Sequence, residues 1–315
     1  MPKHPFPLGW FVVAFSSELG AGDVLTRRYF GRDLVLFRTE SGRAVVLDAH
    51  CPHLGAHLGV GGCVVGESIQ CPFHAWRFDA EGGCVDVPYA KRIPKTARTR
   101  AYPVDEKNGV VLMHYAHDGR APTYVIPELA EHGAPGWSGW LHRTLRIRTQ
   151  AREIVENVVD LAHFPVVHRN RIDTFENEFV GERAIQRATG GGVPDGPHTS
   201  AEYDYRSEAT YYGPGYQITS MHHRIESLLL NAHTPIDEHE IELRFAMSIR
   251  VAGDAKKVRR VAEAYVEDIA SGFAKDVAIW EHKRWRDRPV LVAEDGPIGE
   301  LRRWYEQFYV DEAAI

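Results

Sequence analysis

Residues 51–57 read CPHLGAH and residues 71–79 read CPFHAWRFD. Each stretch sets a histidine two or three residues after a cysteine, so each is one short loop able to present a thiolate and an imidazole to a common centre. Both follow the cysteine with proline, and the first carries Gly55 where a tight turn favours a residue without a Cβ. Cys51, His53, Cys71 and His74 thus form a four-ligand set drawn from two loops. Two thiolates and two imidazoles suit a [2Fe-2S] cluster with one iron held by sulfur and the other by nitrogen. A tetrahedral zinc ion takes the same residue types, but zinc sites usually pair Cys with Cys, whereas here each loop supplies one of each. His50 and His57 flank the first loop; the two-residue step from Cys51 selects His53 and leaves His57 to pack or cap beneath it. Trp76 is placed to cover the centre.

Around these loops, short β-rich runs at Trp10–Phe15, Asp33–Arg38, Ala44–Asp48 and 109–114 are broken by glycines and polar turns, which predicts a small all-β domain over residues 1–117. Residues 118–139 hold three prolines and four glycines with little periodicity and read as a linker. Residues 140–315 mix patterns. A helix is predicted over 150–163 from Ile154, Val158 and Leu161, long antiparallel strands over 216–232 and 241–251, and further helices over 258–285 and 299–309. Residues 189–199 read as a loop by their glycines and prolines. The fold class is α+β.

A second constellation sits at 157–168, NVVDLAHFPVVH. On a helix Asn157, Asp160 and His163 share one face, and Pro165 bends the chain so that His168 swings back beside His163. Two imidazoles and a carboxylate make the facial triad of non-haem Fe(II) oxygenases, which leaves positions open for dioxygen. Spacing alone offers Glu267, Asp268, Asp276 and Glu281 as the carboxylate and does not choose among them.

Composition narrows the function classes. The chain has 315 residues and a net charge of −6, with Lys and Arg dispersed among Asp and Glu, which argues against a nucleic-acid partner. No segment approaches the roughly 20 apolar residues of a membrane span, and the apolar run at Trp10–Phe15 is shorter than a secretory core. A cytoplasmic protein is expected. Four cysteines are too few for a disulfide scaffold. No glycine-rich nucleotide fingerprint is present, so a pyridine nucleotide has to act through another protein.

With its two motifs in this order, the chain resembles the oxygenase α-subunits of the Rieske ring-hydroxylating family over nearly its whole length. The stretches GPIGELRRWYEQFYVD (296–311) and IWEHKRWRDRPVL (279–291) look more narrowly like the oxygenase component of 3-ketosteroid 9α-hydroxylase and its sterol-modifying relatives. The resemblance implies an N-terminal Rieske domain bearing one [2Fe-2S] cluster, and a helix-grip (START-like) domain bearing one Fe(II). It implies a head-to-tail homotrimer and a separate flavin and iron-sulfur reductase, with or without a ferredoxin, that draws on NADH or NADPH. It favours Asp276 as the carboxylate ligand. Asp160 would bridge His163 to His74 of the next subunit, with Asn157 near the iron without ligating it.

Respiratory Rieske proteins add a disulfide between the loops. Ala56 and Phe73 occupy the neighbouring positions here, so Cys63 and Cys84 are expected as buried thiols. The reaction that the resemblance implies is monooxygenation of a hydrophobic polycyclic substrate such as a 3-ketosteroid, with sterol desaturation, oxidative demethylation and oxidative cyclisation as the same chemistry applied differently. Met221, Leu229, Phe245, Met247, Trp304 and Phe308 are the expected pocket residues. A Rieske electron carrier, the reading from a different class, needs neither the second domain nor His163, His168 and Asp276.

Overall fold

The computed structural model describes residues 4–192, 204–222, 225–250 and 255–309. The chain divides into two compact units, Leu8–Val125 with Ile236–Glu238, and Met1–Pro7 with Ile126–Pro235 and His239–Ile315.

The first unit is built from β1 (Gly9–Phe15), β2 (Val24–Tyr29), β3 (Arg32–Arg38), β4 (Ala44–Asp48), β5 (Cys63–Val65), β6 (Ser68–Gln70), β7 (Arg77–Phe78), β8 (Cys84–Asp86), β9 (Ala101–Tyr102), β10 (Val104–Lys107) and β11 (Val110–Tyr115). They form three antiparallel sheets, β1-β11-β10, β2-β3-β4-β9 and β5-β6-β7-β8. The four expected strands appear within a residue of their predicted ends. The strands β5 to β8 are two or three residues long, too short for alternation to register. One Cys-His loop joins β4 to β5 and the other joins β6 to β7. Their cysteines belong to a core of Val35, Phe37, Leu47, Leu58, Ile69 and Phe78. Cys63 is exposed and Cys84 half-buried, which corrects the expectation that both are buried. Cys63 heads a strand of the small sheet whose burial is exposed to intermediate throughout, leaving its side chain in solvent.

The second unit carries β12 (Leu141–Ile147), α1 (Ala151–Val155), β13 (Asn170–Val180), β14 (Arg183–Gly192), β15 (Asp204–Tyr212), β16 (Tyr216–His222), β17 (Ser227–Pro235), β18 (Ile241–Ile249), α2 (Ala255–Trp280) and α3 (Ile298–Glu306). One seven-stranded antiparallel sheet in the order β12-β18-β17-β16-β15-β14-β13 lies beneath the helices. Helix α2 has no proline or interior break, and Ala262, Val266, Ile269, Phe273, Val277 and Trp280 recur along one stripe. That stripe packs on Leu229, Phe245 and Met247 at one end and on Ile147, Leu243 and Ile241 at the other. A long helix gripped by an antiparallel sheet makes this unit α+β.

Three expectations change here. Thr189 to Gly192 lie in β14, because both edges of that strand are paired, with β13 and with β15; the ladder overrides the turn preference of three consecutive glycines. Residues 193–199 of the expected loop lie outside the described residues, as does the end of the C-terminal stretch at 310–311. The 216–232 strand is two strands, β16 and β17. The expected pocket residues separate into two clusters. Met221, Leu229, Phe245 and Met247 lie under α2, whereas Trp304 and Phe308 pack with Val155, Val159 and Tyr211 as core beneath α3.

Candidate metal centres

The two Cys-His loops are conformational twins. The Cys51 amide donates to the Ala56 carbonyl at 2.9 Å, and the Cys71 amide to the Trp76 carbonyl at 2.8 Å. Gly55 and Ala75 in turn donate to the Cys51 and Cys71 carbonyls, at 2.9 and 3.1 Å. Both donors take positive φ, +77° for Gly55 and +57° for Ala75, the second at a steric cost that a glycine escapes. This turn aims cysteine at cysteine and histidine at histidine: the His53 and His74 rings lie 4.7 Å apart, and both cysteines are buried. Trp76 stacks flat on His53 at 4.5 Å and donates its indole N–H to the Tyr89 hydroxyl at 2.7 Å. His57 acts as a cap, its Nδ1 accepting the Gly59 amide at 3.0 Å.

The donor set fits a two-iron cluster. Nδ1 of His74 is buried without a hydrogen-bond partner, as a metal-binding nitrogen would be. Burial first, and then the nearness of Cys71, pushes the Cys51 thiol up to about 11, so a thiolate there requires a cation. Among the described residues one set of three or more metal-binding side chains has all its ligand atoms within 4.8 Å of one another, and it is not this one. A single zinc ion would draw its four ligand atoms to about 3.5 Å apart. The loops instead offer two separate pairs.

The closely spaced set is His163, His168 and Asp276. The approach to it departs from the predicted helix over 150–163. Helix α1 ends at Val155, tightens to a 3₁₀ turn at Glu156–Val158 and breaks, because the Leu161 amide donates to the Asp295 carbonyl at 3.1 Å instead of continuing the ladder. Asn157, half-buried in the 3₁₀ turn, and Asp160, beyond it, therefore share no regular helix face with His163. Phe164–His168 then form a single π-helical turn with Pro165 near its start, closed by Arg169 at φ +56°. The wider turn brings the His163 and His168 rings to 5.2 Å. Nε2 of His168 lies 3.2 Å from the buried carboxylate of Asp276.

Asp276 sits on the stripe of α2 that also holds Phe273 and Trp280, an acid inside an apolar register. That mismatch is the signal by which the sequence distinguishes it from the other acids. Glu267 is exposed and faces Arg143, and Glu281 pairs with Arg148. The side chain of Asp268 lies outside the described residues.

Nδ1–H of His163 donates to the backbone carbonyl of Asp160, which fixes the tautomer and leaves Nε2 with its lone pair for a metal. The Asp160 carboxylate accepts the His163 amide at 3.2 Å and lies 3.8 Å from Nδ1. Burial pushes its pKa up, but the hydrogen bond and charge of His163, with Lys283 further out, outweigh burial and hold the carboxyl below its ordinary value. The Asp160 segment is also clamped from behind. Gly296, at φ +96°, lies so close that a Cβ there would stand 2.1 Å from the Val159 carbonyl oxygen. Lys283 and Gly296 went unmarked in the sequence, since both act through contacts formed on folding.

The chain matches the 3-ketosteroid 9α-hydroxylase C-terminal domain family over residues 113–309 and the Rieske [2Fe-2S] domain family over residues 9–102. It is 39% identical to the 3-ketosteroid-9-alpha-monooxygenase oxygenase component of Rhodococcus rhodochrous, over 97% of this chain and 82% of that one. It is 30% identical to cholesterol 7-desaturase nvd 1 of Ciona intestinalis, over 98% and 70%. Apo dicamba monooxygenase shares the fold, with a TM-score of 0.75 at 20% identity over 95% of each chain. A Rieske [2Fe-2S] domain followed by this C-terminal domain, at such identity over almost the entire chain, means that the protein belongs to the Rieske oxygenases, in the family of 3-ketosteroid 9α-hydroxylase oxygenase components.

Proposed function

We propose that this chain is the oxygenase component of a monooxygenase that uses dioxygen and reductase-supplied electrons to hydroxylate a hydrophobic polycyclic substrate, a 3-ketosteroid. The observation that carries the reading is the convergence of His163, His168 and Asp276 in a chain that also holds a Rieske domain. An electron carrier has no use for the second set.

Cys51 and Cys71 would hold one iron of the cluster and His53 and His74 the other, while His163, His168 and Asp276 would hold a mononuclear Fe(II). Bound there, the two centres supply single electrons and dioxygen activation. The chain's own residues do the rest. Trp76 and the buried cysteines shield the cluster site, while the loop tips at Leu54 and Phe73 stay exposed, accessible to a reductase. Asp160 orients His163. Its carboxylate, 36% exposed, is available to a hydrogen bond from His74 of the partner subunit in a head-to-tail homotrimer. Asn157, in the 3₁₀ turn that precedes Asp160, would stand near the iron without ligating it. The electron source would be a separate flavin and iron-sulfur reductase drawing on NADH or NADPH. A cytoplasmic setting accords with four free cysteines. No helix among the described residues is long and apolar enough to cross a membrane.

Desaturation is the second reading, favoured by the 30% identity to a cholesterol 7-desaturase. Incubation with a 3-ketosteroid, a surrogate reductase and ¹⁸O-labelled dioxygen separates the two by mass spectrometry. Hydroxylation adds one labelled oxygen, desaturation removes two hydrogens, and no oxidation of any polycyclic substrate would overturn both.

A further inference from the structure

Helix α1 and the 3₁₀ turn after it carry Glu153 and Glu156, one helical turn apart, so the two carboxylates neighbour each other. Their side chains are 5% and 13% exposed. Two acids withdrawn from water are costly unless cations meet them. The cations come from the far end of the chain. Nζ of Lys283 lies 2.6 Å from Oε2 of Glu153 and 3.5 Å from Oε2 of Glu156, and Arg302 of α3 donates Nε–H to Oε1 of Glu156. The Arg302 guanidinium also donates to the Arg286 carbonyl at 2.6 Å. With Arg152 of α1 it sandwiches the Trp285 indole, at 3.9 and 4.0 Å from the ring centre. Residues 283–286, which follow α2, are thereby fastened to α1, to the 3₁₀ turn and to α3.

This fastening connects the two pieces of chain that supply the candidate iron ligands. His163 stands seven residues after Glu156, and Lys283 seven residues after Asp276. The first piece has no continuous helix to set its place, because α1 ends at Val155 and the chain passes through a 3₁₀ turn and a π-helical turn before it reaches Arg169. Phe273, Val277 and Trp280 of α2 pack with Ala151 and Ile154 of α1, but apolar burial is non-directional and leaves the two helices free to slide. Lys275 adds a surface contact, its Nζ donating to the Val167 carbonyl at 3.4 Å. A buried ion pair differs from both. It adds little net stability over an apolar pair of the same volume, yet its directed bonds favour one register.

Resting on the oxygenase reading above, we infer that Lys283 is a positioning residue for the mononuclear iron: paired with Glu153 and Glu156, it sets the spacing between Asp276 on one side and His163 and His168 on the other. It acts through acids that are not themselves ligands. Loss of the pair leaves all three ligands in the chain but lets their spacing spread, so the set is no longer organised before the ion arrives and binds it less tightly. Charge alone makes the opposite forecast, since a lysine close to the site repels Fe(II) and its removal would tighten binding.

The test is Fe(II) affinity, measured by chelator competition on anaerobic protein with its cluster intact and its mononuclear iron stripped. Thermal unfolding, and electron paramagnetic resonance of the nitric oxide adduct of the reloaded iron, accompany it. Lys283→Met should bind Fe(II) about 10- to 100-fold more weakly and alter the nitrosyl signal. It should also unfold at a lower temperature, since it leaves Glu153 buried without its cation. Lys283→Arg should restore most of the affinity. The deciding variant joins Glu153→Met to Lys283→Met, which replaces the pair by apolar volume and leaves the net charge unchanged. It should regain stability yet keep the weakened affinity and the altered signal, and it carries the test where Lys283→Met alone does not fold. Wild-type affinity in the double variant, or in Lys283→Met despite a lower unfolding temperature, would overturn the assignment and leave the pair a stabilising one only. Wild-type protein that takes up no Fe(II) beyond its cluster would refute the oxygenase reading instead, so the two failures are distinct.

Discussion

Replacing Gly296 with alanine should injure catalysis from behind the site. A Cβ at this position would lie 2.1 Å from the Val159 carbonyl oxygen and 3.3 Å from its carbon, where real Cβ atoms keep at least 3.0 Å. One backbone or the other must retreat by roughly 1 Å. The left-handed φ of +96° adds about 1–2 kcal/mol for a residue with a side chain. Overpacking against backbone adds about 1–3 kcal/mol. The sum, about 2–5 kcal/mol, corresponds to a fall of roughly 5–15 °C in Tm for a domain of this size. Val159 immediately precedes Asp160, so the retreat moves the carboxylate that orients His163, and a 1 Å error near the reacting centre costs about 100-fold in turnover. The assay is thermal unfolding together with turnover at measured iron and sulfide content. Wild-type Tm would refute the steric reasoning. A lowered Tm with normal turnover would show that the 293–297 segment yields and that Asp160 is not held by it.

Other outcomes follow from the same geometry. Asp160→Asn should keep both metals yet lose about 10- to 100-fold in turnover, and normal turnover would sink the orienting role. Asp276→Asn keeps the buried volume but removes the anionic ligand, so the protein should lose one iron per chain while its cluster absorption stays; full iron retention would contradict the assignment. His114 and His233 are both lowered to about 4 by burial, while the unfolded chain titrates near 6.5. Protons then bind the unfolded state preferentially between those values, so stability should fall as pH drops from about 6.5 to 4, by up to about 3 kcal/mol for each imidazole. Urea midpoints at pH 7 and pH 5 test this, with His233→Gln expected to flatten the slope and an unchanged slope counting against it.

What the sequence disclosed depended on how local the physics was. The Cys-His loops were readable because ligand, proline and turn residue all fall within seven positions and their hydrogen bonds close inside each loop. His163 and His168 were readable for the same reason, although the π-helical turn that brings them together was not. Asp276 was recoverable in principle from the α2 stripe, since its helix packs along one face. The early end of α1 was hidden, because the amide of Leu161 turns to Asp295, far along the chain. The strand at Gly190 and Gly191 was hidden as well, because its stability comes from partners on both sides.

The most direct test of the central claim is the iron and acid-labile sulfide content of anaerobically purified protein, with electron paramagnetic resonance after reduction. A Rieske cluster beside a mononuclear site requires about three irons and two sulfides per chain with a Rieske-type signal. Two irons and two sulfides in protein proved free of iron loss would reduce the chain to an electron carrier, and zinc without sulfide would contradict both centres.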